Sequence, residues 1–254
     1  MESMRGRVPA IATPNRTWAA PRRPWAVRMN WHDLLFVHWP FLPETLRPLL
    51  PPGLELDTFD GRAWLGIVPF RMTGIRAHWL PPIPGTSAFP ELNVRTYVVA
   101  DGKPGVWFFS LDATSRLAVE GARRLYHLPY RRARITCTAS ADGWIYYRSC
   151  RSERSFPAAK FVARYRPRES PQITAADSLA NWLTARYCLY SADCQGQLWR
   201  GEIDHIPWQL EAAEAEIETN TLVAGLGLEL PATKPLLHFS RRLDAVAWSL
   251  DRLQ

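Results

Sequence analysis

Lysine is the scarcest charged residue in this 254-residue chain, with Lys103, Lys160 and Lys234 standing against 28 arginines. Chemistry that needs a Schiff base therefore has only three residues to draw on. No apolar run approaches the ~18 residues of a membrane-spanning helix, because Arg, Asp, Pro or Gly interrupts every one. The four cysteines (Cys137, Cys150, Cys188, Cys194) form no Cys-x-x-Cys pair and have no His pair nearby at ligand spacing. A metal is therefore not expected, and reduced thiols in a cytoplasmic protein are. Gly-x-Gly-x-x-Gly, Walker and Gly-x-Ser-x-Gly patterns are all missing, which argues against nucleotide cofactors and a serine nucleophile on its elbow. No cofactor is expected.

What is present is the composition of a soluble globular protein: 47% hydrophobic, 22% charged, mean hydropathy −0.21. The net charge of +7 would invite nucleic acid if it were spread over the fold. It is concentrated instead in residues 1–28, where Arg5, Arg7, Arg16, Arg22, Arg23 and Arg28 face one acid, Glu2. The remaining chain is close to neutral, and neither nucleic acid nor membrane is expected as a partner. Four prolines and no amphipathic period mark residues 1–28 as a disordered, dispensable tail, as a start codon assigned too far upstream would produce. The alternative is a basic arm that touches something acidic. A single domain over 29–254 is expected.

Turn signals and period-2 stretches dominate that body. Asp60-Gly61, Asp101-Gly102 and Asp142-Gly143 each supply the positive φ of a tight hairpin. They delimit strands at 62–70, 92–99, 105–111, 133–139 and 144–150, with further candidates at 160–166, 197–206 and 236–241. Helices are predicted at 43–50, from a Thr114/Ser115 cap to Tyr126, from a Ser178 cap over 179–189, and over the acidic stretch 209–218. The fold class is α+β, mostly antiparallel, as a closed or strongly curled sheet.

The hairpin around Asp101-Gly102 sorts its polar residues. Alternation puts Glu91, Asn93, Arg95 and Tyr97 on one face. A two-residue turn pairs Ala100 with Lys103, and the register then sets Arg95 opposite Phe108, Asn93 opposite Ser110 and Glu91 opposite Asp112. Such a face is either the solvated outside of a sheet or, in a closed sheet, a ligand cavity. In the second case Arg95 is expected to be paired at rest with the carboxylates of Glu91 and Asp112, near Tyr130.

The motifs Trp39-Pro40, Leu46-Arg47-Pro48, Glu91-Leu92-Asn93-Val94-Arg95-Thr96-Tyr97-Val98, Phe109-Ser110-Leu111-Asp112-Ala113, Leu128-Pro129-Tyr130, Arg186-Tyr187-x-Leu189-Tyr190 and His205-x-Pro207-Trp208 occur in order over about 30–250. Together they resemble the YqjF-like family of uncharacterised bacterial proteins, in which Ala185 would usually be acidic. That family looks like a distant relative of acetoacetate decarboxylase, a closed β-sheet around an active site. Its motif Arg-Glu-x-x-Gly-x-Pro-Lys-Lys is similar to the stretch Arg123 to Arg131, but the Schiff-base lysine falls on Tyr130 and its neighbour on Arg131. A phenol forms no imine. The resemblance therefore implies the fold and rejects the decarboxylase reaction.

The functional expectation is an internal polar cavity binding a small acidic metabolite, a carboxylate or enolate. Tyr130, Glu91 and Asp112 are the candidate catalytic groups; Arg95, Asn93, Arg123, Ser110, Tyr97, Arg186 and His205 are the candidate binding groups. Tyr130 could equally be a packed core tyrosine, His205 a structural hydrogen bonder and Arg186 an ion-pair partner. Whether the protein is an enzyme, a non-catalytic binding module or a structural protein stays open, and a homo-oligomer is expected.

Overall fold

The computed structural model describes residues 15–81, 87–153 and 155–254. In chain order the elements are β1 (Val27–Phe41), α1 (Pro43–Leu46) with a 3-10 turn at Arg47–Leu49, β2 (Glu55–Leu56), β3 (Ala63–Ala77), β4 (Phe89–Ala100) and β5 (Lys103–Ala113). There follow α2 (Arg116–Tyr126), β6 (Tyr130–Ala139), β7 (Ile145–Arg151), β8 (Lys160–Pro167), β9 (Gln172–Ile173) and α3 (Leu179–Thr184). The chain ends with β10 (Cys188–Ala192), β11 (Leu198–His205), β12 (Gln209–Asn220), a 3-10 turn at Ala224–Leu226, β13 (Leu236–Ala247) and β14 (Asp251–Arg252).

The strands form one strongly curled sheet in the order β14-β11-β10-β5-β6-β7-β8-β12-β13-β1-β3-β4-β2, with β9 beside β12. Two further pairings, β11 with β13 and β5 with β4, return it upon itself. The result is two circuits sharing β5, β4, β3, β1 and β13. The smaller is completed by β10 and β11, the larger by β6, β7, β8 and β12. Shared strands bury both faces, so alternate residues serve different cores. Leu34, Phe36, Val68 and Phe70 enter the smaller circuit, whereas Leu35, Val37, Leu65 and Ile67 enter the larger one. Asp-Gly turns set the registers as their φ values require: 50° and 70° at Asp60-Gly61, 50° and 68° at Asp101-Gly102.

Three expectations are corrected. The acidic stretch expected as a helix is strand β12, because Glu214 and Glu216 recur every second residue opposite Arg166 and Arg164 of β8 and ion-pair with them. The helix capped by Ser178 stops at Thr184, since Cys188–Ala192 is drawn into the sheet as β10 between β5 and β11. The tail boundary at 28 falls inside β1, which starts at Val27. Residues 1–14 lie outside the described residues, but from Asn15 the chain packs on the outer face of the smaller circuit. Arg16 is paired with Glu202 and Asp204 with its side chain 4% exposed, Trp18 donates to Glu202 Oε2 at 2.9 Å, and Trp248 donates to Arg23 O at 2.8 Å. The prolines prevent a helix there; they do not prevent an extended strap.

Candidate functional site

The smaller circuit does not close on a solid core. A cavity of about 260 Å³ remains inside it, walled by β1, β3, β4, β5 and β11 and covered by α2. Its lining is mostly apolar: Trp31 and Trp208 stack at 5.9 Å, and Phe36 meets Trp208 edge-on at 5.0 Å. Ser115 caps α2, its hydroxyl accepting from the Ala118 N–H at 3.3 Å, and His127 ends the helix at φ 50°. The helix turns Ala118, Gly121, Ala122 and Leu125 toward the cavity, a spacing of three and four that makes one face.

Into this chamber project Glu91, Asn93 and Arg95 of β4, Thr184 and Arg186 from the end of α3 and the residues after it, and His205 from the end of β11. The solvated-outside reading of the β4 face is thereby excluded. Arg95 donates from Nη2 to Leu183 O at 3.3 Å, and its guanidinium stands 5.5 Å from the Phe36 ring and 5.6 Å from Tyr97. Its Nε is buried without an acceptor, as Asn93 Oδ1 is without a donor. Among the described residues no carboxylate pairs with Arg95. Arg186 is paired, through Nη1, with Asp57 Oδ2 at 2.5 Å and lies over Trp182 at 4.1 Å, leaving Nη2 buried without an acceptor. Burial lowers its pKa, with Asp57 acting in the opposite direction. The His205 ring stacks on Tyr187 at 4.7 Å, its Nδ1 2.7 Å from Ile206 O, and burial holds it down at about 4, so the imidazole is neutral at physiological pH.

Glu91 and Tyr130 are hydrogen-bonded to each other in the cavity lining. The Tyr130 hydroxyl donates to Glu91 Oε2 at 2.8 Å, and Tyr147 donates to the Glu91 carbonyl at 2.7 Å. Burial pushes the Glu91 carboxyl up to about 8 against the pull of the Tyr130 hydrogen bond, with Asp112 adding to the rise. Burial, and then Glu91, raise the Tyr130 phenol well above its ordinary value. At neutral pH the cavity thus offers a mostly protonated carboxyl beside a neutral phenol, and Arg95 as an unpaired cation.

The hairpin register holds only in part. Ala100 pairs with Lys103 and Arg95 with Phe108, but a bulge follows, so Asn93 faces Leu111 and Glu91 faces Ala113. One extra residue, Phe109, inverts the parity of β5 beyond it. Ser110 and Asp112 therefore lie on the face of Val94 and Leu92, outside the cavity, and Leu111 takes their place. Asp112 is ion-paired with Arg151 at 2.9 Å, both nearly inaccessible, so Arg95 is not paired with it. Tyr97 shares the Arg95 face but is not among the lining residues, and its hydroxyl lies 2.6 Å from His38 Nε2. Arg123 leaves the site altogether: it sits on another face of α2, bound to Tyr130 O at 2.6 Å and Glu153 at 2.6 Å. The sequence reading missed Trp31, Phe36, Trp208 and the cavity face of α2, although their periodicity signals burial. Among the described residues no three His, Cys, Asp or Glu side chains gather to hold a metal, and no helix is long and apolar enough to cross a membrane.

Residues 28–244 match the profile of DUF2071, a family described as an uncharacterized conserved protein. The uncharacterized protein YqjF of Bacillus subtilis (strain 168) is 46% identical over 226 residues, 89% of this chain and 92% of that one. The chain belongs to the DUF2071 family. Its fold is that of acetoacetate decarboxylase-like proteins. The acetoacetate decarboxylase of Legionella pneumophila subsp. pneumophila str. Philadelphia 1 superposes with a TM-score of 0.65 at 12% identity, over 100% of this chain and 98% of that one. An acetoacetate decarboxylase-like enzyme from Sphingomonas wittichii RW1 gives 0.65 at 14%, over 90% and 93%. The enduracididine biosynthesis enzyme MppR complexed with pyruvate gives 0.64 at 13%, over 93% of both. Against that background the DUF2071 chain departs in its basic residues. No lysine lines its cavity, and Lys103 is spent on Glu202 at 2.7 Å, outside it.

Proposed function

We propose that this protein binds a small carboxylate or enolate metabolite inside the smaller circuit and exchanges a proton with it without a Schiff base. The observation that carries the reading is Arg95, a cation held against Phe36 in a mostly apolar chamber with no ion-pair partner among the described residues. An uncompensated charge in such surroundings is costly and is relieved by an anion. Arg95 holds the carboxylate by charge-assisted hydrogen bonds, with Asn93 beside it. Glu91, protonated at rest, gives its proton to the carbon of a bound enolate and, as the carboxylate so formed, takes that proton back from the keto form, while Tyr130 keeps the carboxyl oriented. The pyruvate complex of a protein with the same fold supports a carboxylate as the ligand class.

Calorimetric titration with a panel of 2-oxo and 3-oxo acids tests the binding. Arg95→Met should weaken the tightest binder at least tenfold, since hydrogen bonds to charged groups contribute about 1.5–3 kcal/mol each; unchanged affinity rejects the anchor. Proton NMR in D2O then tests the chemistry, through protein-dependent loss of the signal next to the keto group that Glu91→Gln abolishes. A second reading, a module that binds without converting, is favoured by the mutual satisfaction of Glu91 and Tyr130 at 2.8 Å. Binding with no exchange would select it. The protein is further proposed to work in the cytoplasm as a homo-oligomer, which light scattering of the purified chain checks.

A further inference from the structure

The cavity is graded along its length, and the gradient specifies more than a small anion. Inward-facing residues of β4 are spaced about 7 Å apart and read Arg95, Asn93, Glu91, Phe89. The pairing residues on β3 continue the trend, from Gly66 opposite Arg95 to Phe70 opposite Glu91 and Met72 opposite Phe89. Arg95 and Arg186 stand over the same Tyr97 ring, with Thr184 and His205 also in the lining, whereas the lining that β1, β3 and α2 contribute includes Met29, Ile75, Ala118 and Ala122. All polar atoms in the second group's aromatic neighbour are used, the Tyr126 hydroxyl donating to Trp248 O at 3.1 Å. Leu125 lines the cavity and is also 71% exposed, which places an opening at the apolar end. At Gly121, in the middle of α2 and on the cavity face, an added Cβ would meet no atom within 4 Å. Glycine there is not demanded by a positive φ, so its effect is to leave room.

A two-carbon or three-carbon acid seated on Arg95 would leave this apolar end unfilled. We infer that the ligand is an amphipathic monocarboxylate, with its head on Arg95 and an aliphatic or arylalkyl tail running past Phe89 and Met72 toward α2. The inference rests on the anion-binding reading above and names its substrate class. Charge and shape agree on this occupant: one unpaired cation at one end, and no charged residue among the lining residues contributed by β1, β3 and α2 at the other.

The test is calorimetry on the full chain with straight-chain carboxylates from acetate to dodecanoate, each below its micelle concentration, with the matching primary alcohols as controls. Each methylene buried should tighten binding about threefold to fourfold until the tail reaches the opening, after which affinity levels off. Gly121→Leu, whose Cβ would meet no atom within 4 Å, should bring the plateau to a shorter chain length while the melting temperature holds. Affinity that does not rise beyond three carbons, or a ladder that Gly121→Leu leaves unaltered, overturns the tail. In that outcome a short acid still bound through Arg95 leaves the anion site standing. Equal binding of acids and alcohols, insensitive to Arg95→Met, would instead sink the anion site and the tail together.

Discussion

The two circuits of this sheet share five strands and differ in what those strands enclose. The larger buries a cluster that includes Tyr147, Phe161, Tyr165 and Phe239, and it holds a matched buried charge, Asp112 against Arg151 at 2.9 Å. The smaller holds a cavity, and a half-buried charge in it is left over: Arg95 has no carboxylate partner among the described residues. The same strand pair, β4 with β5, supplies Asp112 to one side and Arg95 to the other. A single bulge residue decides this, because it changes which neighbours share a face. The filled side is therefore expected to carry stability and the hollow one the proposed binding, a division that mutation can break.

The largest effect is expected from Asp112→Ala. Removing one member of a buried pair strands the other, at a cost of about 3–5 kcal/mol, and Arg151 at 7% side-chain exposure cannot recover it in water. Denaturant melts should show that loss while affinity for the carboxylate panel in the folded fraction is retained. If binding vanishes with stability intact, Asp112 belongs to the site after all and the division between circuits fails.

Next comes the strap. The wall of the smaller circuit is buttressed from outside by Trp18, packed against the cluster that holds Leu54, Cys188 and Tyr190, and by Arg16 on Glu202 and Asp204. Deleting residues 1–26 leaves Glu202 with Lys103 but removes its buried arginine. The expected result is destabilisation of a few kcal/mol, whereas deleting 1–14 should change little by comparison. Thermal melts of the two truncations check this, and equal melting temperatures would show the strap to be ornamental.

How much of this was legible beforehand follows the same division. Alternation in residues 91–98 exposes Glu91, Asn93 and Arg95 as one face, and the Asp-Gly turn fixes the hairpin, because both are local properties of the chain. The bulge at Phe109 is not local: it depends on β5 meeting β4 on one side and β6 and β10 on the other, so Ser110 and Asp112 were assigned to the wrong face. β12 was misread for a related reason. Its acidic residues suit a helix surface in isolation and become strand residues only once Arg164 and Arg166 lie opposite. The motif alone points Arg123 into the site, although on α2 it falls on the side away from the residues that face the cavity.

Arg95→Met should move stability least. Among the described residues the cation has no carboxylate to strand and gives up one long bond to the Leu183 carbonyl, so the cost is under about 1 kcal/mol, and the change could even stabilise the empty protein. An asymmetric outcome, large in binding and small in folding, is the reverse of Asp112→Ala and the sharpest form of the comparison. A loss of several kcal/mol would mean that Arg95 supports the fold and that the hollow side is not free to serve a ligand.

The last signal is the pH dependence of the cavity acid. Glu91 has a folded pKa raised to about 8, from an ordinary 4.5, by burial in a site bounded by Tyr130 and Tyr147, with Asp112 behind it. A raised folded pKa means the fold holds a proton that the unfolded chain gives up. The stabilisation is complete below about 4.5 and is lost as pH rises through about 8. His205 has the opposite sign. Its folded value near 4 lies below the ordinary 6.5, so its contribution is present above 6.5 and fades as pH falls through 4. Melting temperatures between pH 6 and pH 9 should therefore decline in the native chain and decline less in Glu91→Gln, which cannot ionise. Carboxylate binding should weaken over the same window, because an ionised Glu91 puts a second negative charge into the chamber that Arg95 offers to the ligand. If the native protein and Glu91→Gln trace parallel curves, Glu91 is already ionised at neutral pH, and the proton-donor role assigned to the hollow side falls with it.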